Sequence, residues 1–295
     1  MTTTDQERVA ARPDALTDIA PPAARVVRRL TPGHRPLRAD LAELWAAREL
    51  VVFLAVRDLK VRYKQTFIGA AWAVLQPAAT MAVFYAFFRK LSDAPAGVPY
   101  TLFALAALVP WTFFSNAVST SSLSLIANVD LLNKVYFPRL SVPLGSVLAG
   151  LLDLGLSFLL LLGLTFGEGF APEWRMLAVV PLSLVAVFAA SGLACLLSAL
   201  AIEYRDFRYV VPFAMQLWLF ATPVAYASTV VSQPWRTVAA LNPMVGVVNG
   251  FRWALTGTGA DIGASVLVST VSAVALAVLG IWWFHRREPV FADVA

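Results

Sequence analysis

The sequence predicts an all-α membrane protein: six transmembrane helices, an N-terminal amphipathic interface helix, and a periplasmic or extracellular re-entrant helical hairpin before the last span. Three observations predict it. The 295 residues are 59% apolar and only 14% charged, with a mean hydropathy of +0.71, against about 45–50% and about 25% in soluble domains. No soluble core hides that much apolar surface. The apolar residues fall into six long runs. Lysine and arginine gather at alternate ends of those runs, as membrane orientation requires.

Residues 1–38 are polar, rich in Pro, Ala and Arg, and lack apolar periodicity, so they read as a disordered cytoplasmic tail. No apolar h-region follows their charges, so they are not a signal peptide. Residues 39–66 change character. Leu41, Leu44, Trp45, Val52, Ala55, Val56, Leu59 and Tyr63 recur at three- and four-residue steps. Arg57, Lys60, Arg62 and Lys64 make the end of the segment basic. This pattern predicts an amphipathic helix with its stripe in the acyl boundary and its cations at the phosphates. A surface helix packed on a partner is the competing reading.

Residues 67–285 hold the spans: Phe67–Phe88, Thr101–Ala127, Leu140–Phe166, Met176–Ile202, Tyr209–Ala227 and Ile262–Phe284. The first is about 33 Å long at about 1.5 Å per residue, enough for a hydrocarbon core of about 30 Å. Pro77, Pro110 and Pro181 lie in or near span starts, where neighbouring helices can satisfy the freed carbonyls. Between Arg236 and Arg252 the apolar residues are too few for a span, and Asn242, Pro243, Gly246, Asn249 and Gly250 interrupt them. That segment predicts a re-entrant or interfacial hairpin. With the amino terminus inside, the inner side carries Arg48, Arg57, Lys60, Arg62, Lys64, Lys134, Arg139, Arg205, Arg208, Arg286 and Arg287. The outer side carries only Arg89, Lys90, Arg175, Arg236 and Arg252. Both termini are then cytoplasmic, residues 286–295 forming the C-terminal tail, and the hairpin faces outward.

Several chemistries are excluded. A lone cysteine, Cys195, excludes an intrachain disulfide, and His34 and His285 stand too far apart in the chain for a histidine-rich metal site. A nucleotide-binding P-loop needs a Gly-Lys pair, and neither Lys60, Lys64, Lys90 nor Lys134 follows a glycine. An ion-coupled pump keeps several ionisable groups at membrane depth. Here Asp153 is the clear case, either a polar contact in a pathway or a hydrogen-bonded structural acid. A membrane enzyme needs convergent acids, histidines or a nucleophile with its base; the nearest acids, Glu203 and Asp206, sit in EYRDFR at a cytoplasmic span end. No catalytic, cofactor or metal residue is expected in this chain, and no nucleic-acid partner.

Two cytoplasmic connections mix aromatics with both charges: NVDLLNKVYFPR (Asn128–Arg139) and EYRDFR (Glu203–Arg208). They suit docking on a soluble partner, with aromatics filling a cleft and charges fixing register; interfacial anchoring is the alternative. Phe84, Tyr85, Phe88, Trp111 and Phe114 cluster toward the outer ends of the first two spans, and Trp218 joins them from the fifth. They form either an aromatic belt facing lipid or a lining that stacks on sugar rings.

From Arg57 to Pro77, RDLKVRYKQTFIGAAWAVLQP resembles the membrane subunits of polysaccharide-exporting ABC transporters, the type 2 ABC exporter permeases for O-antigen, teichoic acid, capsule or galactan. The resemblance continues in EYRDFRYVVP (Glu203–Pro212), TPVAYA (Thr222–Ala227) and LNPMVGVVNGFRWALTG (Leu241–Gly257), covering about residues 40 to 285.

The resemblance implies a permease without an ATP site. Two copies pair around one pathway in the inner (plasma) membrane, and each docks on a separate ABC ATPase that binds ATP and Mg. It implies coupling to that ATPase through Asp130, Asn133, Lys134, Tyr136, Glu203, Arg205 and Asp206, and a re-entrant gate containing Asn242, Pro243, Asn249 and Arg252. The implied cargo is a polysaccharide on a polyprenyl diphosphate, with Arg57, Lys60, Arg62 and Lys64 receiving the anionic headgroup. Ordinary anionic membrane lipid competes for those cations. Trp72, Phe84, Tyr85, Phe88, Trp111, Phe114 and Trp218 would line the glycan path. The alternatives are a permease for a small lipophilic molecule or drug and, in another class, a membrane glycosyltransferase or lipid-phosphate enzyme.

Overall fold

The structure, a computed structural model, describes residues 37–64, 66, 69–89, 97–134, 137–230, 232, 234–258 and 262–291. Most of the tail expected over residues 1–38, and Tyr136, lie outside them. The described residues form helices and turns. The helices are α1 (Leu37–Ala46), α2 (Arg48–Tyr63), α3 (Ala71–Phe88), α4 (Tyr100–Ser122), α5 (Ser124–Ala127), α6 (Val129–Lys134), α7 (Ser141–Gly167), α8 (Val179–Glu203), α9 (Phe207–Ala221), α10 (Trp235–Ala240), α11 (Pro243–Thr256) and α12 (Ile262–Arg287).

Among the described residues, five helices are long and apolar enough to cross a membrane: α3, α4, α7, α8 with the 3₁₀ turn before it, and α12. The chain is a multi-pass membrane protein. The expected fifth span, Tyr209–Ala227, corresponds to α9, whose 15 residues give about 22 Å at about 1.5 Å per residue. The helix stops at Thr222 because Pro223 follows, and a residue before proline avoids the α region; Thr222 has ψ 136°.

The interface helix also differs from expectation. It is two helices, broken at Ala47, and its buried residues are Val51, Leu54 and Ala55 rather than the whole predicted stripe. These pack on α7, where Gly145 lets the backbone of α2 approach: a Cβ there would meet the Leu54 Cβ at 3.0 Å and the Val51 carbonyl oxygen at 3.2 Å. Trp45, Val52, Phe53, Val56 and Val61 are exposed. The segment therefore has two apolar faces, one on the protein and one pointing away.

Helix α4 is the centre of the bundle, with 78% of its most apolar window buried, and α3, α7, α8, α9 and α11 surround it. Helix α12 lies along α8 at a crossing of two glycines. A Cβ on Gly280 would overlap the Gly192 carbonyl group, and a Cβ on Gly192 would overlap the backbone at Leu276. With lipid on the outside there is little hydrophobic drive between helices, so such close backbone approach supplies the packing. Helices α3 and α12 are peripheral, with only 17% of their windows buried.

Candidate functional site

The polar side chains of α3, α4 and α7 are placed by four-residue spacing, which returns to the same helix face. Trp72 and Gln76 share a face of α3; Thr112, Asn116 and Thr120 share one of α4; Asp153 and Ser157 share one of α7. These faces meet around a cavity of about 320 Å³, which Arg62 and Tyr63 from α2 also line. Pro77 has no N–H, so the Ala73 carbonyl one turn earlier loses its helical donor. Ser157 Oγ supplies the replacement, donating to the Ala73 oxygen at 2.6 Å. Asn116 Nδ2 donates to Gln76 Oε1 at 3.1 Å. Sequence reading missed this cavity. Its signal was present as the Thr112–Asn116–Thr120 stripe.

Asp153 is not an isolated acid. Arg62 Nη1 lies 2.5 Å from its Oδ2, and the Tyr63 hydroxyl donates to its Oδ1. The structural reading of Asp153 is therefore the one the geometry favours, and the charge of Arg62 is compensated by it. Arg57 is likewise paired, its Nη2 2.8 Å from Oδ1 of its neighbour Asp58. Lys60 and Lys64 are exposed. Of the four cations assigned to a headgroup, these two lysines keep the presentation that role needs.

The aromatic set divides in the same way. Phe84, Trp111 and Phe114 are buried within the protomer, and Phe114 stacks edge-on against Trp218 at 5.6 Å. They pack in the core of the protomer. Trp72 and Tyr85 are exposed, and Phe88 and Trp218 are half-buried.

The segment expected to be a gate is held by a fixed network. Helix α11 begins at Asn242, whose side chain accepts from the Met244 amide at 3.0 Å, with Pro243 at the first helical position. Both are strong helix starters. It ends at Gly257, in the left-handed conformation at φ 72° that favours glycine. Asn242 Nδ2 also donates to Thr222 Oγ1 at 2.8 Å, and Ser228 Oγ donates to Asn249 Oδ1 at 2.9 Å. Arg252 is 4% exposed. Its guanidinium donates to the Pro223 oxygen at 2.8 Å, the Val224 oxygen at 2.7 Å, the Tyr226 oxygen at 3.4 Å and the Phe103 oxygen at 3.1 Å. It also lies 3.6 Å from the centre of the Phe103 ring. Irregular backbone away from water needs such donors. Arg252 thus clamps the turn after α9, and the cation placed on the outer side by the orientation argument is buried within the protomer.

Comparison with known proteins adds a family. The family model described as ABC-2 type transporter matches residues 49–256. This chain belongs to the ABC-2 type transporter family. It is 32% identical over 215 residues to the O-antigen export system permease protein RfbA of Myxococcus xanthus, covering 71% of this chain and 81% of that protein. Two proteins of the same name from Klebsiella pneumoniae are 26% and 27% identical, each covering 83% of this chain and 95% of the relative.

In this ABC-2 transporter chain the residues assigned to coupling are only partly brought together. Asp130 and Lys134 are exposed on α6, and Arg205 and Asp206 are exposed at the turn before α9. Tyr136 and the Asn133 side chain lie outside the described residues. Glu203 turns inward to Arg287 at 3.3 Å, so it ties α8 to the end of α12. Beside it, Arg139 donates to the Glu288 carbonyl at 3.0 Å, and His285 Nδ1 lies 2.5 Å from Asp40 Oδ2. Asp40, His285 and Glu288 bring possible metal-ligand atoms within 4.8 Å of one another, a cluster that His285 alone did not announce in the sequence. Burial, then the charge of Asp40, pushes the Glu288 carboxyl above its ordinary value.

Proposed function

We propose that this chain is the permease subunit of an ABC transporter that exports a polyprenyl-diphosphate-linked polysaccharide, an O-antigen-like or related cell-surface glycan, across the inner membrane. The observation that carries the reading is the 32% identity over 215 residues to an O-antigen export permease. ATP and Mg are bound by a separate ATPase, two copies of which pair with two copies of this chain. Residues 1–38 form a cytoplasmic tail, residues 39–66 the interface segment, residues 67–285 the membrane domain and residues 286–295 a second cytoplasmic tail. Helix α9 serves as a sixth, short span, and α10 and α11 form the outer re-entrant hairpin, which leaves both termini cytoplasmic.

In this reading Lys60 and Lys64 attract the diphosphate at the inner leaflet, each worth about 1 kcal/mol near an anionic surface. Asp130, Lys134, Arg205 and Asp206 face the ATPase. Nucleotide-driven closure of the ATPases shifts the paired bundles, which does work only if the two arrangements differ in affinity for the cargo. The exposed aromatics Trp72 and Tyr85, with Phe88 and Trp218, give the glycan a stacking surface without fixed hydrogen-bond register. Deleting this chain should leave full-length glycan on its lipid carrier inside the cell, with co-purification of permease and ATPase in a two-to-two ratio in the wild type. Normal surface glycan in the deletion strain would overturn the reading.

A further inference from the structure

We propose that the cavity between α2, α3, α4 and α7 is a binding subsite for an uncharged sugar residue, with the Gln76–Asn116 carboxamide pair as its hydrogen-bonding element and Trp72 as its stacking wall. The proposal rests on the export reading above and names a site within it.

Charge selects the ligand class. The cavity contains one cation and one anion, Arg62 and Asp153, and they lie 2.5 Å apart. Each cancels the other's field, and taking a diphosphate out of water needs cations that are not already spent. The cavity therefore disfavours the anionic end of the cargo. What remains is neutral and hydrogen-bonding. A sugar hydroxyl is donor and acceptor at once, and so is a carboxamide. The bond from Asn116 Nδ2 to Gln76 Oε1 at 3.1 Å fixes the orientation of both groups while using a fraction of their capacity. Fixing them beforehand lowers the entropic cost of binding.

Shape agrees with the charge. The volume of about 320 Å³ lies at the small end of ligand pockets, about 300–1,000 Å³, which suits a sugar residue rather than a coiled chain. Trp72 and Gln76 are both exposed, so the cavity is open along their face of α3. The indole presents an apolar plane beside polar groups, the combination that large amphipathic aromatics provide at binding surfaces. Ser157 is already committed to the Ala73 carbonyl, so the α3 wall keeps its shape across the Pro77 break.

The test uses the full chain with its partner ATPase in nanodiscs and two probes. One is the cell's own polysaccharide released from its lipid by mild acid; the other is inorganic pyrophosphate. The readout is the part of the tryptophan fluorescence change that disappears in Trp72→Phe. The released glycan should quench it, and pyrophosphate should not. The pair Gln76→Leu with Asn116→Leu should weaken the glycan response about tenfold, the loss of two neutral hydrogen bonds. The swapped pair Gln76→Asn with Asn116→Gln, which keeps both carboxamides, should retain most of it, with all variants at equal levels in the membrane. A Trp72 signal from pyrophosphate, or an undiminished glycan response in the leucine pair, would overturn the subsite. Failure of the export reading is distinct: surface glycan would then persist when this chain is deleted, whatever the leucine pair does.

Discussion

Arg62, the penultimate residue of α2, and Asp153, in the middle of α7, are 91 residues apart in the chain and 2.5 Å apart in space. The pair locks the interface segment to the bundle and makes the cavity beside it neutral. Its side chains are 28% and 15% exposed, so the pair is neither fully wet nor dry.

Replacing Asp153 by Ala therefore should destabilise the membrane domain by about 1–3 kcal/mol, between the values for exposed and buried pairs. Arg62→Met in the same background should recover part of the loss, because the orphaned cation is gone. Thermal denaturation in detergent, run as a double-mutant cycle, measures the coupling. Equal and additive losses would mean that the pair does not act as a unit.

Arg252 should be intolerant even of lysine. Four carbonyl oxygens accept from one planar guanidinium, and a single ammonium cannot reproduce that fork. Each buried carbonyl left unpaired costs about 1–3 kcal/mol. Arg252→Met should cost about 3 kcal/mol or more and reduce the protein recovered from membranes, while Arg252→Lys recovers little of the loss.

The α8–α12 crossing gives a steric prediction. Gly280→Ala places a methyl group against the Gly192 carbonyl, which is backbone and cannot rotate away. The expected destabilisation is at least the about 1–3 kcal/mol typical of overpacking, against a negligible effect for Gly155→Ala, where a Cβ would meet open space. The same denaturation assay separates the two.

Glu288 gives a pH dependence. Its carboxyl is raised in the folded chain, so the fold favours the protonated form. The linked stability is fully present below the unfolded value of about 4.3 and is lost as pH rises through the raised folded value. Glu288→Gln, uncharged throughout, should flatten the melting profile across that window and raise stability at neutral pH. A variant whose profile runs parallel to the wild type would count against it.

Much of the architecture could be read from the chain, and the failures have physical causes. The apolar runs located α3, α4, α7, α8 and α12 because lipid selects for bulk hydropathy over about 20 residues. The end of α9 was misplaced because hydropathy continues through Thr222–Ala227 while the backbone turns at Pro223. Asn242 and Pro243, which in the sequence read as interruptions of an apolar run, are the cap and first residue of α11, because capping chemistry is local and hydropathy does not register it. The site was less legible. Arg57, Arg62 and Glu203 looked available as isolated charges, yet each has an ionic partner in the fold. For Arg62 and Glu203, only tertiary structure supplies it. The burial of Phe84, Trp111 and Phe114 was not legible, because aromatic side chains read alike whether they face a pathway or a core.

The most direct measurement uses inverted membrane vesicles loaded from outside with polyprenyl-diphosphate-linked glycan, ATP and Mg. Vesicles holding this chain together with its ATPase should accumulate glycan in the lumen, and vesicles holding either protein alone should not. Glycan accumulation by this chain without any ATPase would contradict the view of it as a conduit driven from outside.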